Sequence, residues 1–290
     1  MYEAFYGLTK KPFSILPDPD FLYLARPHSM AASMLEYGVM NHAGFTVITG
    51  EVGSGKTTLI RYLLGRLPSD VTVGLVSNTQ GDRGDLLNWL MMSLGQDFEG
   101  MSYVALYGKF QEYLVHQFNR HKRTVLIIDE AQNLGARALE ELRMMSNVNV
   151  NSLELLQIIL VGQPELKALL SRPELVQFAQ RVSSDFHLTL LTREDVPAYI
   201  DHRLNVAGAS RLLFSDEACE LAFHATQGTP RLINVLCDTA MMYGFAVEAD
   251  RITARFVQSV LDDKRKYGVF PMGGNGIRPG INGARVDAAG

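Results

Sequence analysis

The chain has 290 residues, 47% hydrophobic and 20% charged, with a formal net charge of −4. That is enough apolar material for a sizeable core and for two domains, and it excludes a wholly disordered or fibrous polypeptide. The acidic balance gives no general pull toward nucleic acid or anionic lipid, and the short basic runs "RHKR" (120–123) and "KRK" (264–266) read as solvated surface charge.

At the start there is no apolar run flanked by basic residues and a small-residue cleavage site, and no stretch of about 18 apolar residues occurs anywhere. The sequence therefore predicts a cytoplasmic protein with no membrane span of its own. Its two cysteines, Cys219 and Cys237, lie in helix-like segments without metal-ligand spacing and are expected to be small buried thiols.

The first strong element is "GFTVITG" (44–50), a glycine-bounded β-rich run. It leads through a short loop into "KTTLIRYLLGRL", where Leu59, Leu63, Leu64 and Leu67 recur at helical spacing. A second β-rich run, "VTVGLVS" (71–77), precedes amphipathic helical stretches around "DLLNWLMMSL" and "KFQEYLVHQFNRH". Then comes the apolar strand "TVLII", ending in "DEAQNL". "ALEELRMMSNV" reads as a helix, "LELLQIILVG" (153–162) as one buried strand, and "RPELVQFAQRV" as a helix capped by Ser171 with Glu174 three residues on. "SDFHLTLL" supplies a last strand. Apolar strands alternating with helices predict an α/β fold, a parallel sheet covered on both faces, up to residue 191.

Beyond it the signals are helical. Thr192, Ser215 and Thr253 are expected caps, and Pro230 a first-turn residue, of four helices forming a small bundle over residues 192–266. From Tyr267 the chain is rich in Gly, Pro and Asn without apolar periodicity, so residues 267–290 are expected to be a flexible tail.

The loop "GEVGSGKT" fits G-x-x-x-x-G-K-[ST], and its setting between a strand and a helix matters more than the match. Glycines let backbone N–H groups converge on phosphate oxygens, and the following helix adds its positive end. The candidate binding set is Gly50, Glu51, Val52, Gly53, Ser54, Gly55, Lys56, Thr57 and Thr58, with Lys56 on the phosphates and Thr57 on magnesium. Two carboxylates at the tip of an apolar strand call for a cation or a reacting water nearby. Asp129 is the candidate second metal contact and Glu130 the candidate general base.

Phosphoryl transfer also needs positive charge where bonds break. Arg231, in "GTPRLIN", and Arg181, before the last strand, are candidates to supply it, Arg181 toward a neighbouring subunit with Arg172 as the alternative. Gln163 and Asn78, at strand tips, are candidate γ-phosphate sensors; a turn-forming role explains Asn78 nearly as well.

Strand, phosphate loop, "LIIDEAQ", "LVGQPEL", "QRV" and "GTPRLIN" in this order resemble the AAA+ ATPases of the general secretion pathway protein A (ExeA) type, with related members in PEP-CTERM/exosortase exopolysaccharide loci. The opening "FYGLTKKPFSILPDPDFLYLARPH" is similar to that family's N-terminal signature, and the resemblance covers about residues 1–266. It implies a P-loop NTPase domain over residues 1–191, a helical lid over 192–266, ATP and Mg2+ as ligands, and a homo-oligomer whose sites are completed between subunits. It assigns Lys56 and Thr57 to phosphates and magnesium, Asp129 and Glu130 to the second nucleotide motif, Gln163 to sensor one, Arg231 to sensor two and Arg181 to the arginine finger. Pro12, Phe13 and Tyr23 become candidates for the adenine surroundings, with ordinary packing equally open.

The implied function is ATP hydrolysis coupled to a bacterial envelope secretion or exopolysaccharide export system. Longer members carry a transmembrane helix and a periplasmic domain after the ATPase, whereas this sequence ends in a polar tail. Membrane attachment is thus expected through a partner protein. The competing expectation is a nucleotide-controlled DNA-binding adaptor of the transposition-regulator type, disfavoured by the missing basic stripe.

Overall fold

The computed structural model describes residues 1–41, 43–77, 86–150 and 153–268. Asn78 and residues 269–290 of the expected tail lie outside them. Strands β1 (Phe45–Gly50), β2 (Val71–Val76) and β3 (Arg123–Ile128) are joined later in the chain by a small antiparallel pair, β4 (Asn149–Val150) and β5 (Leu153–Glu154), and by β6 (Leu156–Gly162) and β7 (Val182–Leu188). The five longer strands form one parallel sheet in the order β2-β3-β6-β1-β7.

Alternation along each strand divides the core in two. Val125, Ile127, Ile48, Ile159 and Val161 face helices α2 (Arg26–Met40) and α3 (Lys56–Leu64). Leu126, Ile128, Val47, Ile158 and Leu160 face the other way, toward the layer built from α4 (Leu86–Ser93), α5 (Tyr103–Asn119), α6 (Ala136–Met145), α7 (Pro164–Leu170) and α8 (Val176–Ala179). Strands covered on both faces are largely apolar, as β3 is over Val125–Ile128 and β6 over Ile158–Val161. At the edge, β7 alternates instead, with Ser183, Asp185 and His187 exposed.

The expected strand over residues 153–162 is divided. Leu153 and Glu154 are exposed and belong to the short hairpin, and burial begins at Leu155. Ser171 does not cap a following helix: its hydroxyl donates to Lys167 O at 2.8 Å, and the segment after it forms a 3-10 turn before α8. Helix α2, with His28, Ala31, Ala32, Leu35 and Val39 buried, was not among the expected elements, although that spacing is helical.

After Leu191 come α9 (Asp195–Val206), α10 (Asp216–Thr226), α11 (Pro230–Ala246) and α12 (Ala254–Tyr267). Ser215 Oγ accepts from Ala218 N–H at 3.2 Å, Thr192 exchanges bonds with Asp195, and Pro230 opens α11 as expected. Thr253 precedes α12 without a side-chain capping bond, and α12 includes Tyr267. Cys219 and Cys237 are free and buried here; burial pushes the Cys219 thiol up to about 12.

Tyr2, Tyr6, Leu8, Phe13 and Phe21, beginning with α1 (Tyr2–Phe5), share one core with α9 to α12. Aromatic bulk decides this: Phe13 packs edge-on against Phe214 and Phe5 against Phe245. Arg203 of α9 fastens the segment further. Its buried guanidinium donates to Pro12 O at 2.6 Å, Ser14 O at 3.2 Å and the Tyr199 hydroxyl at 3.1 Å, and lies 4.8 Å from the centre of the Phe21 ring.

Arg203→Met keeps the bulk and removes these bonds, leaving two carbonyls short of a donor. It is expected to destabilise the helical unit by about 2–4 kcal/mol. Chemical denaturation followed by tyrosine emission checks this, because Trp89, the only tryptophan, lies on α4 and reports the α/β unit separately.

Candidate functional site

The sheet order makes the site. Because β6 lies between β1 and β3, the tips of three adjacent parallel strands carry Gly50, Gln163 and Asp129 side by side. Neighbouring strands are about 4.8 Å apart, so residues distant in sequence become neighbours at the carboxyl edge.

Residues 50–58 curl over the tip of β1 into α3. Gly53 and Gly55 have φ of 78° and 103°, the left-handed region open to glycine, and Gly55 forms the N-cap of α3. At Gly50 a Cβ would come within 2.8 Å of Leu188 O, and at Gly53 within 2.8 Å of the Arg231 Cβ. The bare backbone is therefore required by close approach as well as by dihedral. Lys56 is buried, and its ammonium donates to Gly50 O at 2.7 Å and Glu51 O at 2.9 Å. Burial depresses its pKa, opposed by the charges of Glu130 and Asp129.

Thr57 Oγ1 donates to Asp129 Oδ2 at 3.0 Å, and the other Asp129 oxygen accepts the Glu130 N–H at 2.9 Å. Burial raises the Asp129 pKa against these bonds. Glu130 accepts at Oε2 from Gln132 Nε2 at 2.6 Å and from Gln163 Nε2 at 3.1 Å. Burial works to raise its pKa, but the two amide donors and the Lys56 charge outweigh it, and the carboxyl is held below its ordinary value.

Over these residues lies a cavity of about 200 Å³, walled by Val52 to Thr58, Glu130, Gln163, Arg231 and part of the N-terminal segment. This is several times the ~30 Å³ share of one water molecule, so it admits a ligand. Arg231 reaches it from the first turn of α11, where its N–H meets Gly53 O at 3.3 Å. The helical unit and the phosphate loop thus touch directly.

Tyr23 lines the cavity, as do Ile15, Leu16 and Leu22; Pro12 and Phe13 do not, since Phe13 is taken into the helical core. Arg181 is remote from its own cavity, at the start of edge strand β7, with Nη1 donating to Ser146 Oγ at 3.0 Å. Arg172 is exposed and pairs with Glu174 at 3.7 Å. Sequence reasoning missed His28, buried beside the loop with Nε2 3.0 Å from Ser54 O, and Gln132. The helical spacing of α2 could have drawn attention to His28; Gln132 had no periodic signal at all.

Parallel sheet, glycine-built phosphate loop and acid-tipped neighbouring strand define a P-loop nucleotide-binding domain of the AAA+ class. Residues 39–170 match the AAA domain family. Over 253 residues, 87% of this chain, the sequence is 38% identical to general secretion pathway protein A of Aeromonas hydrophila, and it spans 46% of that relative's length. The chain is thus a relative of general secretion pathway protein A that carries an AAA domain.

Its fold is similar to that of the ORC2 protein of Aeropyrum pernix in ADPNP–ADP complexes, with a TM-score of 0.67 at 16% identity over 88% of this chain and 71% of that one. It is also similar to Cdc6p of Pyrobaculum aerophilum, with a TM-score of 0.64 at 14% identity over 86% of this chain and 68% of that one. At such identities the likeness concerns the fold.

Gly53→Ala should weaken ATP binding by about tenfold or more, roughly 1.4 kcal/mol, because the methyl strains the loop and displaces Arg231. Calorimetric titration with ATP measures the effect.

Proposed function

We propose that this protein is a magnesium-dependent ATPase whose turnover drives or regulates assembly of a bacterial envelope secretion or exopolysaccharide export system. The observation that carries the catalytic part is the meeting of Lys56, Thr57, Glu130 and Arg231 at one cavity, with Asp129 bonded to Thr57 beside it, from three separate stretches of chain. The relative of Aeromonas hydrophila supports the secretion part.

In this reading the loop N–H groups and Lys56 bind the β and γ phosphates. The glycine cradle, which any Cβ at Gly50 or Gly53 would fill, fits such a ligand. Thr57 and Asp129 would hold magnesium. Among the described residues there is no cluster of three or more His, Cys, Asp or Glu side chains suited to a metal, and two oxygen donors suit an ion that takes its remaining ligands from phosphate and water. When bound, the ion supplies neutralisation of phosphate charge. Glu130, kept ionised by its amide donors, orients a water and accepts its proton, while Gln163 senses the γ phosphate. Arg231 brings positive charge from the helical lid.

Arg181 serves a neighbouring subunit as the arginine finger in a homo-oligomer, since it faces away from its own cavity. No helix among the described residues is long and apolar enough to cross a membrane, and the reading places the protein in the cytoplasm, held at the inner membrane through a partner.

Glu130→Gln should retain ATP and lose hydrolysis by about 10²-fold or more, read by phosphate release beside nucleotide binding. Unchanged turnover would remove Glu130 from the mechanism. Arg181→Ala should lose turnover alone and regain it when mixed with Glu130→Gln subunits, whose Arg181 is intact; absence of rescue would count against a finger acting between subunits.

A further inference from the structure

We propose that Gln132 is a positioning residue for hydrolysis: its side-chain amide fixes the Glu130 carboxylate to the tip of β6. The inference rests on the reading of Glu130 as the base.

Three observations carry it. First, Glu130 adopts the left-handed conformation, φ 55° and ψ 37°, which is strained for a non-glycine residue, and the 3-10 turn Ala131–Asn133 that follows brings Gln132 back beside it. Second, Gln132 is bonded at both ends: Nε2 donates to Glu130 Oε2 at 2.6 Å, and Oε1 accepts the Gln163 backbone N–H at 3.0 Å. A backbone N–H can only donate and a carboxylate can only accept, so the group between them must offer one acceptor and one donor. A primary amide does so; a carboxylate in its place would face Glu130 with like charge, and an alkyl chain would satisfy neither neighbour. Third, a Cβ on Gly162 would lie 2.8 Å from Gln132 Oε1, so the glycine before Gln163 leaves room for this amide.

The consequence is directional. Gln163 Nε2 reaches the same Oε2 at 3.1 Å, so both amides occupy one carboxylate oxygen. Oε1 is left to take the proton from water. Displacement of Gln163 by a ligand would act on Glu130 twice, directly through Nε2 and through Gln132 from the backbone of the same residue.

Gln132→Met keeps the length of the side chain without its amide. It is expected to lower kcat for ATP by about 10- to 100-fold, the scale for a reacting group misplaced by about 1 Å, with the Kd for ATP within twofold of the parent. Added to Glu130→Gln it should lower single-turnover hydrolysis no further, because its effect passes through Glu130. Gly162→Ala, which keeps Gln132 but crowds its carbonyl, should lower kcat in the same direction, with Trp89 emission reporting that the α/β unit is folded.

A Gln132→Met protein with parental kcat, or one whose loss multiplies fully with that of Glu130→Gln, would overturn the proposal alone. Parental turnover by Glu130→Gln would overturn the hydrolytic reading and this proposal with it.

Discussion

Adjacency of three parallel strands, β1, β6 and β3, is the constraint from which the site follows. The chain runs outward from β1 to β2, returns through β3 to β6, and only then crosses to β7 on the far side of β1. Helices on both faces shield the backbone ladder, which lets β3 be apolar over Val125–Ile128 and β6 over Ile158–Val161. Polar character is confined to their ends. Asp129, Glu130 and Gln163 stand where the apolar runs stop, beside the loop that follows β1, and the register holds them there without any contact between side chains having to bring them together.

Charge inside this frame is balanced locally. Lys56 is surrounded by main-chain carbonyls of its own loop, Asp129 by a hydroxyl and an N–H, and Glu130 by two amides. Each ionised group is thus solvated by fixed protein dipoles, and such groups need little rearrangement when charge shifts during a reaction. The lid enters the same network: where Arg231 leans on Gly53, movement of α11 is felt by the phosphate loop.

The sequence disclosed the sheet and the loop because both rest on local rules. Apolar runs as uniform as "TVLII" and glycines spaced around a lysine have few other uses, and Ser215 and Pro230 open helices by short-range chemistry alone. What stayed hidden depends on partners far along the chain. Phe13 looks alike whether it covers a ligand or packs against Phe214, and only the fold distinguishes them. Thr253 and Ser171 have the right chemistry for caps and use none of it or use it elsewhere. Gln132 escaped notice because an amide bonded at both ends has no periodicity.

The interleaving of residues 1–25 with α9 to α12 has a bearing on biosynthesis. Tyr2, Tyr6, Phe13 and Phe21 leave the ribosome more than 200 residues ahead of Ile233, Met241 and Val257, with which they form one core. At about 5–20 residues per second the delay is roughly 10–50 s, during which this aromatic segment has no finished surface to bury against. The nascent polypeptide is thereby exposed to chaperone capture or premature association over that interval, and its helical unit closes only once α11 and α12 have been made.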